Sequence, residues 1–213
     1  MAAERQQLVH IPVDGVELEG ELVLPAGTTG LVVFAHGSGS SRHSPRNNYV
    51  AGVIREHGLG TLLFDLLTEA EDRTYENRFD IPRLTDRLDA VSDWLAARDG
   101  TRDLTIGYFG SSTGAAAALR AAARRGEEIR AVVSRGGRVD LAEDALEAVT
   151  AATLFIVGGA DTEVLTLNRA AFEHLPGERD LTVVDGAGHL FEGPGELEAV
   201  ADVAATWFEA HLA

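Results

Sequence analysis

Three observations predict an α/β fold with a mostly parallel central sheet, helices on both faces and an N-terminal antiparallel hairpin. Short continuous apolar runs (Leu31 to Ala35, Leu59 to Phe64, Leu104 to Phe109, Ile129 to Val133, Leu154 to Val157, Leu181 to Val184) have the length of strands buried on both faces, the pattern of parallel sheets. Stretches of helical period lie between them. At the start, Gln7 to Val13 and Val16 to Leu24 flank Asp14-Gly15, a dipeptide that suits a two-residue hairpin turn.

Taken in order, the second hairpin segment alternates Val16, Leu18, Leu22 and Leu24 with Glu17, Glu19 and Glu21, so one face is wet and an antiparallel edge is expected. Ile81, Leu84, Leu88, Val91 and Leu95 fall on one helical stripe, with Asp80 as cap and Pro82 in the first turn. Ala115 to Ala118 and Ala121 to Ala123 give a helix with almost no side-chain bulk. Leu197, Val200, Ala204, Trp207 and Phe208 form a last stripe near the C-terminus. No repeat, linker or charge block divides the chain, and 213 residues at 45% hydrophobic content predict one domain over residues 1–213. No apolar run of about 18 residues could span a bilayer, and Met1-Ala2-Ala3-Glu4-Arg5 leads into polar glutamines rather than a signal core. A soluble cytoplasmic protein is expected.

Composition excludes several chemistries. Cysteine is absent, which removes disulfides, thiolate nucleophiles and cysteine-ligated metals. A net charge of −16 with no basic stripe disfavours nucleic acid. All 18 basic residues are arginine; codon bias and a salt-adapted acidic surface both account for that. Neither a metal nor a cofactor is called for, and no membrane partner.

In such folds the chemistry sits where strands end. Leu104 to Phe109 runs into Gly110-Ser111-Ser112-Thr113-Gly114 and then the alanine-rich helix, a G-x-S-x-G pattern in strand-to-helix context. Ser112, in the third position, is the candidate nucleophile, and Ser111 is its decoy. The Thr113 N–H, at the positive end of the helix dipole, is a candidate oxyanion donor. After Leu31 to Ala35 comes His36-Gly37-Ser38-Gly39-Ser40-Ser41-Arg42-His43-Ser44-Pro45-Arg46-Asn47-Asn48. This segment reads as an oxyanion loop presenting the Ser38 N–H, as a phosphate cradle, or as a structural turn. Arg42 occupies the place of the third dinucleotide-fold glycine, and no Gly-Lys-Ser/Thr follows. His36 and His43 are candidates to shape the loop and meet substrate. A serine nucleophile needs a base and an orienting acid. His189 follows the last strand in Asp185-Gly186-Ala187-Gly188-His189, and Asp161 follows Gly158-Gly159-Ala160, giving the order serine, aspartate, histidine; Asp140 is the reserve acid. Arg135, in Ser134-Arg135-Gly136-Gly137-Arg138, binds a carboxylate or phosphate of the substrate, pairs with an internal acid such as Asp65, or is exposed to solvent.

His36-Gly37, Gly110-x-Ser112-x-Gly114, Gly158-Gly159-x-Asp161 and Gly188-His189, in this order, resemble the α/β-hydrolase superfamily over nearly the whole chain. The small size without a cap domain resembles its dienelactone hydrolase-like branch. His36 to Asn48, Tyr108 to Leu119 and Ser134 to Asp140 resemble a bacterial subgroup of that branch, sometimes fused to phosphoribosyltransferase domains; no such domain is read in this chain. Dienelactone hydrolases themselves use cysteine, so the resemblance implies the fold and the triad, not dienelactone as substrate. It implies an esterase forming an acyl-enzyme on Ser112 from a small soluble ester. About twenty residues between Ser134 and Thr153 are too few for a helical lid, and Asp65 to Asp80 is expected to be a mobile rim. An acyltransferase on the same triad, a catalytically silent binding member and a peptidase are the other functions considered.

Overall fold

The computed structural model describes residues 5–213; Met1 to Glu4, part of the segment read above as lacking a signal core, lie outside the described residues. The chain opens with β1 (Arg5–Val13) and β2 (Val16–Leu24), paired antiparallel from Arg5↔Leu24 to Val13↔Val16. Asp14 (φ +48°) and Gly15 (φ +79°) both take positive φ, as a primed two-residue turn requires. Six more strands follow: β3 (Gly30–Ala35), β4 (Gly60–Phe64), β5 (Thr105–Ser111), β6 (Ile129–Arg135), β7 (Ala152–Gly158) and β8 (Arg179–Val184).

They form one eight-stranded sheet in the order β1-β2-β4-β3-β5-β6-β7-β8. β2 is antiparallel to β1 and to β4, and every later pair is parallel. The edge therefore falls to β1, one strand outside the expected position, while Glu17 and Glu19 stay exposed on β2. β8, the other edge, is only half-buried, unlike the strands between.

Alternate residues of the central strands feed two cores. On one face Val32, Phe34, Phe109, Val133 and Ile156 meet α1 (Pro45–Glu56) and α6 (Glu196–Leu212). On the other, Leu31, Val33, Tyr108 and Val132 meet α3 (Ile81–Ala97) and α4 (Thr113–Arg125), α2 being a single turn (Glu69–Asp72). α5 (Thr162–Phe172) packs Val164 and Leu165 on Val157 of β7. The predicted stripe of α3 is buried, and Asp80 caps it by accepting from the Arg83 N–H at 3.1 Å. Each such buried aliphatic side chain contributes about 1.5–3 kcal/mol. Among the described residues no helix is long and apolar enough to cross a membrane.

The order of strands positions the site. From β3 the chain steps to β4 on one side, then returns to place β5 on β3's other side, with Ala35 beside Gly110. Loops leaving β3 and β5 thus diverge, opening a crevice at their carboxyl ends, where open α/β sheets bind ligands.

Candidate active site

Ser112 joins β5 to α4 with φ +50° and ψ −120°, a strained conformation for a residue with a side chain. Its neighbours permit it. A Cβ on Gly110 would stand 2.4 Å from Ala115 Cα, and one on Gly114 only 2.1 Å from the Ala35 carbonyl oxygen. Both glycines let the bare alanine face of α4 press under the sheet. The elbow is also stitched to the segment after β6: the Ser112 N–H donates to Arg135 O at 3.2 Å, and the Arg138 N–H donates to Ser112 O at 3.0 Å. Ser111 is buried at 3% exposure, whereas Ser112 reaches the surface. Position in the turn thus separates the two serines.

Beyond β7 and β8, the His189 Nδ1–H donates to Asp161 Oδ2 at 2.6 Å. Their loops are held together by backbone bonds, Gly159 N–H to Val184 O at 2.8 Å and Ala160 N–H to Ala187 O at 2.9 Å. Gly158 is needed for this approach, since a Cβ there would meet Ala187 O at 2.3 Å. Gly136, at φ +53°, lies under the imidazole, 3.3 Å from His189 Cε1 to its would-be Cβ. The reserve acid, Asp140, is committed elsewhere: both its oxygens accept from Arg138, which holds its carboxyl below the ordinary range.

Ser112 and His189 line one open cleft of about 560 Å³ with Ser38, His43, Arg46, Arg135 and Leu190. The Ser112 hydroxyl makes no hydrogen bond to His189 in this state. Among the described residues the Thr113 N–H has no acceptor, while the Ser38 N–H donates to the Thr113 hydroxyl oxygen at 3.0 Å. The second expected oxyanion donor is therefore engaged in the resting structure. His43 is exposed at the cleft mouth.

Two expectations need correction. His36 does not line this cleft; its Nδ1–H donates to Gly37 O and its Nε2 accepts from the Leu66 N–H, each at 3.0 Å. With both nitrogens spent on backbone and the ring buried, it ties the loop after β3 to the end of β4, and burial lowers its pKa. Nor does Asp65 pair with Arg135. Asp65 accepts from the Arg42 N–H at 2.8 Å and from the Arg42 guanidinium. Arg135, 9% exposed, has no acid within ion-pairing distance among the described residues, and its Nη1 is buried without a partner.

Residues 65–80 are not a bare rim. Thr68 and Glu71 form a reciprocal capping box, and Arg87 and Arg78 bridge to Glu71 and Asp72. The segment between β6 and β7 holds a 3₁₀ helix, Val139–Ala148, buried through Val139, Ala142 and Leu146 and leaving the cleft open. Sequence reasoning passed over two features: α1 begins inside the glycine-serine loop, and Asn168 donates to Gly137 O at 2.9 Å, anchoring the segment that braces the elbow. Ser44-Pro45, a cap followed by a first-turn proline, was the available signal for α1.

No protein-family model matches the chain. A Mycobacterium tuberculosis (strain H37Rv) protein provisionally named a phosphoribosyl transferase is 55% identical over 208 residues, 98% of this chain and 47% of that protein. The chain thus spans about half the length of the curated relatives it matches. The crystal structure of a dienelactone hydrolase from Anabaena variabilis superposes with a TM-score of 0.96 at 52% identity, covering 99% of both chains. Est1E from Butyrivibrio proteoclasticus shares the fold at 18% identity (TM-score 0.81, 94% and 97% covered), as does an esterase domain from Rhodothermus marinus at 17% (0.79, 98% and 100%). With the elbow after β5 and the Asp161–His189 pair after β7 and β8, these likenesses place the chain in the α/β-hydrolase superfamily, in its dienelactone hydrolase-like branch.

Proposed function

We propose that the chain is a serine hydrolase of small carboxylic esters, with Ser112 as nucleophile, His189 as base and Asp161 as the acid that orients it. One observation carries this reading: a serine in a strained elbow shares a cleft with a histidine whose Nδ1–H is held by a carboxylate at 2.6 Å. That bond leaves Nε2 free to take the Ser112 proton. Ser112 Oγ then attacks the ester carbonyl, and the carbonyl oxygen, now negative, is met by the Thr113 N–H and, once its bond to the Thr113 hydroxyl exchanges, by the Ser38 N–H. His189 returns the proton to the departing alkoxide, and water, deprotonated by the same imidazole, hydrolyses the acyl-enzyme. Residues 1–213 would carry this activity as one domain, with His43 meeting substrate at the mouth. The open cleft suits small soluble esters.

General-base assistance contributes about 10²–10⁴-fold and each oxyanion donor about 10²–10³-fold. Ser112→Ala should lower kcat on p-nitrophenyl esters of graded chain length by at least about 10³-fold, with the melting temperature retained. A variant keeping more than a few per cent of wild-type turnover overturns the assignment.

A further inference from the structure

Strained backbone marks two places in the proposed triad. Among the described residues three that carry side chains take positive φ: Asp14 in the hairpin turn, Ser112 in the elbow, and Phe191, at +53°, two residues past His189. An aspartate tolerates that region in turns, and the elbow imposes it on Ser112. A bulky phenylalanine there is an outlier. Nine glycines carry positive φ among the described residues, so glycine is this chain's common solution to a left-handed turn. Position 191 keeps a phenylalanine instead, and strain of this kind persists only where the surroundings over-determine it.

The ring supplies the constraint. Phe191 is 2% exposed and belongs to the buried cluster that includes Phe34, Phe109, Ile156 and Ala187. Gly188, His189 and Leu190 are exposed between two buried anchors, Ala187 and Phe191. Backbone bonds fix the first anchor: the Ala187 N–H donates to Val184 O at 3.2 Å, and Ala187 O accepts from the Ala160 N–H at 2.9 Å. The second closes a turn around His189, its N–H donating to Gly188 O at 3.3 Å. His189 thus stands on a short loop pinned at both ends, from which its Nδ1–H reaches Asp161 Oδ2 at 2.6 Å. One further tie, Glu192 to Arg46 at 2.8 Å, has its carboxylate 69% exposed, and such surface bridges contribute little. The buried ring is the stronger hold.

Resting on the serine-hydrolase reading, we propose that Phe191 is a positioning residue whose buried ring holds the left-handed turn that keeps His189 against Asp161. That contact fixes the Nδ1–H tautomer, the one whose bare Nε2 can take the Ser112 proton. Without the ring nothing holds the strained φ, the loop relaxes, and the imidazole leaves the carboxylate.

The test sets Phe191→Ala and Phe191→Leu beside Phe208→Ala and Phe208→Leu, because Phe208 is buried in the same cluster but lies on α6, away from the loop of His189. Turnover of p-nitrophenyl acetate is measured at a temperature where each variant is folded. The His189 tautomer is read by heteronuclear NMR of the imidazole nitrogens, assigned against His189→Gln. Phe191→Ala should lower kcat by about 10²-fold with KM within about twofold, the scale of loss when a reacting group is misplaced by about 1 Å. Phe191→Leu, which refills most of the space, should recover much of that loss, and both Phe208 variants should keep kcat within about threefold of wild type. His189 should be Nδ1–H in the wild type and a mixture with Nε2–H in Phe191→Ala. Glu192→Gln should change kcat by less than about twofold. Equal losses at Phe191 and Phe208, a larger loss from Glu192→Gln, or an unchanged tautomer in Phe191→Ala overturns the proposal. Where the alanine variants do not fold, the leucine pair decides by the same ordering and the same tautomer readout. The two readings fail separately: a wild type that turns over no ester sinks the hydrolase while the tautomer still reports on the loop, and an active enzyme indifferent to Phe191 does the reverse.

Discussion

Two cavities open at the carboxyl edge of the sheet, share Ser40 and Ser41 as a wall, and are electrostatic opposites. One, of about 440 Å³, is lined by Glu17, Glu19, Asp65, Glu69 and Asp72 around Arg42; the other, of about 560 Å³, is lined by Ser112, His189, Arg46 and Arg135 and by no carboxylate among the described residues. In the first the arginine is saturated, its guanidinium bridging Asp65 and Glu19. In the second, Arg46 is bridged to Glu192 while Arg135 Nη1 has no partner. The chain's overall acidity therefore says nothing about the field inside the cleft where Ser112 stands, because local pairing decides which charges remain available. The saturated cavity holds the loop after β3 in place, and the unsaturated one keeps a buried guanidinium nitrogen without a partner.

The sharpest way to break this contrast is to delete one charge from each cavity. Asp65→Asn strips Arg42 of its partly buried partner and should destabilise the fold by about 2–4 kcal/mol. Arg135→Met removes an unpaired buried charge and should leave stability unchanged or raise it by about 1–2 kcal/mol. Urea denaturation of both variants reads the difference; destabilisation of similar size in both would mean that Arg135 is paired after all. A smaller effect is expected where the loop after β3 meets the elbow. Thr113→Val removes the acceptor that holds the Ser38 N–H and should lower kcat by about five- to tenfold, the equivalent of about 1 kcal/mol, through a misplaced loop. An increase in kcat would show instead that the hydroxyl competes with the oxyanion.

The smallest effect concerns His36, which ties the loop after β3 to the segment just after β4. Its folded pKa lies below the ordinary value of about 6.5, because burial disfavours the imidazolium and Nε2 is already an acceptor. Below that pH the unfolded chain takes up a proton that the folded one refuses. Its contribution is thus complete above about pH 6.5 and is lost as pH falls toward the folded pKa. Denaturation at pH 7 and at pH 5.5 should show a smaller acid loss in His36→Gln than in the wild type. An equal loss in both would place the acid sensitivity elsewhere.

Much of the architecture was legible because it rests on local rules. Six apolar runs became six parallel strands, Asp14-Gly15 turned as a primed hairpin, and Gly110 and Gly114 marked the one turn where a strained serine fits. The Asp161–His189 contact followed from each residue ending its own strand. Pairing across the sheet was less legible. Asp65 and Arg135 both follow strands, but β3 and β5 stand between β4 and β6, so about three strand spacings, roughly 14 Å, separate their ends. Only the strand order reveals that Asp65 must turn to Arg42. His36 is similar: its role depends on where β4 delivers the Leu66 N–H. Residues 65–80 looked loose because they lack an apolar stripe, yet Thr68-x-x-Glu71 is a capping-box signature and polar contacts hold the segment.

The central claim, that Ser112 is a nucleophile activated by His189, is tested most directly by treating the folded protein with a fluorophosphonate and locating the adduct by peptide mass spectrometry. One adduct per chain is expected, on Ser112, absent from Ser112→Ala and strongly slowed in His189→Ala. A wild-type protein that takes up no label, or carries it on another residue, would contradict the account.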